Sequence, residues 1–162
     1  MTWEIGRRGA ARVGRSVKGM FVALALVAAL GREEDPLPTL LALLGAVVAF
    51  TVGEVYDAAI ETQIRRRHGL RLRELGDISY EQSYIAAGAI PSIVIFIFAS
   101  AGVIDAALAD NLAVYTGVGL LGILGWMAGR LAGEHMLRCL LYGFEAALIG
   151  ALVIAFKVLV KP

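Results

Sequence analysis

Cysteine is scarce, with a single residue in 162. That excludes a secreted fold stapled by disulfides. Charge is scarce as well: charged residues make up 18%, against about 25% in soluble domains. Histidine occurs only at His68 and His135, and no zinc-type ligand spacing can be built from two isolated residues and one cysteine. The formal net charge is +1, so there is no basic face of the kind nucleic acid requires. No phosphate-cradling glycine loop and no nucleophile–base motif is present, and no enzyme activity is expected. Lysine is outnumbered by arginine, three to twelve. That bias fits a GC-rich, bacterial genome.

Apolar side chains fill the space left by these absences. Hydrophobic residues are 59% of the chain and the mean hydropathy is +0.75. A water-soluble domain of this size could not bury so much apolar surface. The fold class expected is therefore an all-α integral membrane protein. A bilayer core of about 30 Å needs roughly 20 apolar residues per helix. Four segments, 39–60, 84–104, 112–133 and 139–160, meet that length. A fifth, at 17–31, is shorter and would span with Arg15 and Lys18 snorkelling toward headgroups. A basic stretch before a short apolar run is also a signal-peptide pattern. The segment is read here as a retained, short or tilted span. Residues 1–16 are expected to lie on the surface as a basic interfacial segment, and 63–83 to form a cytoplasmic loop.

With five spans, lysine and arginine divide between the alternating sides as 12 and 3. The positive-inside rule then places the N-terminus inside and the C-terminus outside a bacterial inner membrane. The loop arginines Arg65, Arg66, Arg67, Arg71 and Arg73 are expected to hold anionic lipid headgroups, each contributing about 1 kcal/mol.

Ionisable residues inside spans carry the functional signal, because a charge in hydrocarbon needs a partner or a cavity. Glu54, Asp57 and Glu61 follow offsets of three and four, which puts them near one helix face. Thr51 and Gln63 lie near that face, and Glu145 stands two turns into the last span. Glu54, Asp57 and Glu145 are expected to meet in the inner half of the bilayer. Hard oxygen ligands suit a divalent cation or protons. Two carboxylates a few ångströms apart cannot both ionise cheaply, so one would hold a proton until a cation displaces it. That is the minimum chemistry of cation/proton exchange, and Glu61 would be its entry residue. The competing reading pairs these acids with interfacial arginines or with a neighbouring helix. Glu134, His135, Met136 and Cys139 are close enough in sequence to suggest a transition-metal site, but fit ordinary packing better.

Gly125, Gly129 and Gly133 repeat a small-residue spacing, with Gly122 near the same face, and Gly143, Ala147 and Gly150 answer them on the last span. Such residues let helix backbones approach in lipid. A tight hairpin of spans four and five is expected, although a homodimer face would use the same signal. Pro91 is expected to kink span three.

Three stretches together resemble the vacuolar iron transporter family. The last span reads Arg138-Cys-Leu-Leu-Tyr-Gly143-Phe-Glu145, with Gly150 five residues on. Span three contains Ala87-Gly88-Ala89-Ile90-Pro91, and span two Val52-Gly53-Glu54. The resemblance covers roughly residues 40–160. It implies a dimer of five-span subunits, transport of a divalent cation (Fe, Mn, Zn or Co), and a place for Glu54 on the ion path. The chain departs from the family pattern in three ways. The first span lacks the family's aspartate, Phe50 stands near the family's methionine position, and a short basic connection replaces the metal-binding domain between spans two and three. Those departures support a rival from another class, a non-transporting structural or accessory subunit of a larger membrane complex. Carboxylates across an aqueous gap would favour transport; carboxylates paired to a base or facing a dry contact would favour the subunit.

Overall fold

A computed structural model describes residues 2–30, 35–66, 69 and 71–160. They form five helices: α1 (Thr2–Leu30), α2 (Pro36–Arg66), α3 (Leu72–Ser100), α4 (Ala106–Leu131) and α5 (Met136–Val160). Among the described residues there is no strand, and all five helices are long and apolar enough to cross a membrane. The all-α membrane class is thus as expected.

Local chemistry explains the helix ends. Asp35 precedes Pro36, and its Oδ1 accepts the Leu37 N–H at 3.0 Å, which satisfies an otherwise free donor beside a proline suited to the first turn. The Glu74 carboxylate accepts the Arg71 N–H at 3.0 Å and closes the start of α3. Helices α3 and α4 both stop on a left-handed glycine, Gly102 (φ 73°) and Gly133 (φ 77°). Each carries the paired bonds of a Schellman turn: Val103 N–H to Phe98 O and Gly102 N–H to Ala99 O, then Glu134 N–H to Gly129 O and Gly133 N–H to Arg130 O. Gly133 is therefore a cap, not a member of the packing seam its spacing suggested.

Two expected boundaries move. The interfacial segment and the first span form one continuous helix, α1. The expected loop at 63–83 is largely helical, because α2 continues to Arg66 and α3 begins at Leu72. Twelve residues of α3 thus precede the apolar run at 84, and they carry the polar side chains that face α1 and α2. Helix α3 also runs through Pro91 unbroken.

Helix α1, the least apolar candidate, is the centre of the bundle and packs against all four others. Its Ala23, Leu24 and Val27 are fully buried, against Leu43 and Val47 of α2, Ala89 and Phe96 of α3, and Ala113 and Leu121 of α4. Helix α2 packs on α1 and α3. Helix α5 packs mainly on α4 and lightly on α1.

Glycine decides the two closest contacts. A Cβ on Gly125 would lie 2.6 Å from Tyr142 O, and one on Gly143 would lie 2.8 Å from Gly122 O. The expected α4–α5 hairpin is present, and its glycine faces are consumed within the chain. The second contact is between α1 and α3. A Cβ on Gly19 would overlap the Ile85 carbonyl, 2.7 Å from its carbon, and one on Gly88 would overlap the Ser16 carbonyl, 2.9 Å from its carbon. The two backbones touch there, and Ser16 Oγ donates to Tyr84 O at 3.2 Å. Backbone-to-backbone approach of this kind gains dispersion and Cα–H···O contacts in lipid, where hydrophobic burial between helices gains little.

Candidate functional site: a polar file between α1, α2 and α3

The α1–α3 contact brings the polar half of α1 against the early turns of α3 and the later turns of α2. Lys18 is held by an acid. Its Nζ donates to Glu54 Oε2 at 2.8 Å and to Oε1 at 3.1 Å. Lys18 lies twelve residues from the end of α1 at Leu30, about 18 Å along the helix, so both partners fall inside candidate membrane spans. One turn earlier, Arg15 donates to Glu81 Oε2 at 2.7 Å. Arg12 stacks over the Tyr84 ring at 5.0 Å, and Tyr80 meets Tyr84 edge-on.

Two adjoining hollows open beside these pairs and share Arg15 and Glu81. The one between α1, α2 and α3 has a volume of about 480 Å³, and Glu61, Thr62, Arg65 and Gln82 line it. The other, of about 490 Å³, lies against Arg12, Asp77 and Tyr80. Together they form a polar vestibule at the arginine-rich end of the bundle. Among the described residues two buried side-chain oxygens have no hydrogen-bond partner: Gln82 Oε1, which lines the vestibule, and Thr51 Oγ1, farther along α2. Thr51 is one turn from Glu54 on α2. A polar file results, running from Arg65 and Glu61 through Gln82 and the Arg15–Glu81 pair to Lys18–Glu54 and Thr51.

The four acids singled out in the sequence separate. Glu54 and Glu61 share the inward file of α2. Asp57 is exposed and has no partner among the described residues. Three residues turn a helix by about 300°, which leaves Asp57 some way round from Glu54. Glu145 does not join them: α2 and α5 are held apart by the central α1, and Glu145 lines a different groove. Among the described residues, no three His, Cys, Asp or Glu side chains are grouped to hold a metal ion. Around Cys139, the buried thiol donates to Glu134 O at 3.4 Å and Arg138 pairs with Glu134 at 3.0 Å, an arrangement of packing and capping. His68 lies outside the described residues.

Lys18, Arg15, Glu81 and Gln82 are the site residues that sequence reading missed. The available signal was the match in depth between bases on α1 and acids about three turns inside α2 and early in α3. Comparison of the chain with protein-family models, curated proteins and solved structures finds no match.

Proposed function

We propose that this protein is a small membrane carrier that exchanges a cation for a proton at Glu54. The observation that carries the proposal is the Lys18–Glu54 pair, which joins two candidate membrane spans one turn beyond the Arg15–Glu81 pair of the polar vestibule. Intramembrane ionisable groups are expensive and usually mark an ion or proton path. The ammonium of Lys18 occupies the position a cation would take beside Glu54, with Thr51 Oγ1 nearby as a neutral oxygen ligand. Cation entry would displace the Lys18 ammonium from Glu54, and the amine, left without its counter-charge, would release its proton to water; on cation departure it would take a proton back and pair with Glu54 again, so one proton moves against each cation without a second acid. The resemblance of Val52-Gly53-Glu54 to the iron-transporter ion path supports the same residue, and divalent ions are the first to try. The Arg65–Glu61 end of the vestibule would be the cytoplasmic entrance under the positive-inside rule.

The test is metal-dependent proton flux in liposomes holding the purified chain, with Fe²⁺, Mn²⁺, Zn²⁺ and Co²⁺ tried in turn. Flux that is lost in Glu54→Gln and kept in Asp57→Asn is expected. A second reading has its own observation: Glu54 is already neutralised by Lys18, and among the described residues no group of three His, Cys, Asp or Glu side chains includes it. That is how a pair that only stitches α1 to α2 would look, as in a non-transporting subunit of a larger complex. Absence of flux with every ion, in protein shown to be folded, would overturn transport and favour the subunit.

A further inference from the structure

Glu145 stands where a carboxylate is costly and has no partner among the described residues. It lies nine residues into α5 from Met136, about 14 Å along the helix, near the middle of a core about 30 Å thick. It is exposed, and among the described residues it makes no hydrogen bond or ion pair. It belongs to a groove of about 450 Å³ between α1, α4 and α5, whose other walls are apolar or aromatic, including Val17, Phe21, Leu124, Tyr142 and Ile149. The groove is separate from the vestibule and its Lys18–Glu54 pair.

We infer that this groove binds a lipophilic organic cation, with Glu145 as the counter-charge. Charge complementarity selects the occupant. A bare metal ion needs several oxygen ligands, and this groove offers one carboxylate and one phenol. A lipid amine sits at headgroup level, far from this depth. Among its described residues, a second copy of the chain brings no uncommitted base at this depth of the spans. Its Arg15 and Lys18 are engaged with Glu81 and Glu54, and Arg130 and Arg138 lie in the terminal turns of α4 and α5. A cation with an apolar, aromatic body fits both requirements. Its charge meets Glu145 away from water, where ion pairs are strong, and its rings pack on Phe21 and Tyr142, whose faces also attract cations. The volume lies within the range of small-molecule sites, about 300–1,000 Å³.

The probe is tetraphenylphosphonium, titrated against the full chain in lipid nanodiscs, with neutral triphenylphosphine oxide as the uncharged control. Saturable binding of the cation and little binding of the oxide are expected. Glu145→Gln should weaken binding by about thirtyfold or more, as removal of one partner of a desolvated charge pair does, and Glu145→Asp should restore part of it. Gly14→Phe tests the cavity itself: Gly14 lines the groove and a Cβ there would meet nothing within 4 Å, so the variant should fold and lose cation binding. Glu54→Gln should bind the cation normally, which separates this site from the exchange reading. Equal binding of cation and oxide, or unchanged affinity in Glu145→Gln, would overturn the inference. So would absent binding in folded protein together with copper-catalysed crosslinking of Ala132→Cys between chains, which would assign the groove to a second copy.

Discussion

Substituting Gly19 by alanine tests the centre of the fold. The added Cβ would overlap the Ile85 carbonyl and sit 2.7 Å from its carbon, where carbon–oxygen and carbon–carbon contacts normally begin at roughly 3.3 Å. The obstacle is backbone, which no rotamer change can move. Helices α1 and α3 must therefore part by about 1 Å, and a gap of that size forfeits a quarter to a half of each dispersion contact across it. The contacts at risk are those of Met20, Ala23 and Leu24 with Ala89 and its neighbours in the core. Overpacking of this kind costs about 1–3 kcal/mol and sometimes more. Because the obstacle is backbone, the cost should fall at the upper end of that range, about 3 kcal/mol; alanine's better helix propensity returns about 1 kcal/mol, so the net loss should be about 2 kcal/mol. Gly45→Ala is the control, since nothing lies within 4 Å of a Cβ there; it should be neutral or slightly stabilising. Unfolding by sodium dodecyl sulfate from mixed micelles, followed by helical circular dichroism, measures both. A Gly19→Ala variant as stable as Gly45→Ala would refute the backbone contact, and with it the register that places Lys18 beside Glu54.

Lys18→Met and Glu54→Gln should each destabilise the bundle more than the double variant does, because each single change strands the other polar partner in the membrane; the same unfolding assay yields the coupling, expected at about 1 kcal/mol. In the hairpin, Gly125→Ala should cost about 2 kcal/mol, since its Cβ meets Tyr142 O at 2.6 Å and Ala146 Cβ at 2.8 Å, whereas Gly122→Ala, with its nearest neighbour at 3.4 Å, should stay within about 0.5 kcal/mol of the parent. Orientation is tested by cysteine labelling in intact cells. Arg71→Cys should react with a membrane-impermeant maleimide only after lysis and Val103→Cys before it, both in a Cys139→Ala background; the opposite pattern would invert the topology.

Much of the architecture was legible in residue order because it depends on local patterns. Span length follows from apolar runs and bilayer thickness, and the α4–α5 hairpin from small residues at helical spacing in adjacent segments. Asp35-Pro36 shows a helix start in the same local way. Gly133 was harder, since a glycine at a four-residue spacing serves equally as seam or cap, and only the positive φ separates them. The helical stretch from Leu72 was hidden by its polar composition, which looks like a loop until α1 and α2 are packed against it.

The candidate site divides along the same line. Sequence alone determined that Glu54 and Glu145 lie in spans, and therefore that each requires a partner or a cavity. Tertiary structure decided what meets them, because the choice rests on which helices are neighbours and how closely their backbones approach. The absence of a side chain at Gly19 and at Gly88 lets α1 and α3 touch, α1 becomes central, and its Arg15 and Lys18 reach Glu81 and Glu54. The same central helix keeps α2 away from α5, so Glu145 faces an apolar groove and not the acids of α2. Helical periodicity gives direction around one axis, whereas a meeting of two side chains also depends on the position of the second axis, which only the packed bundle supplies.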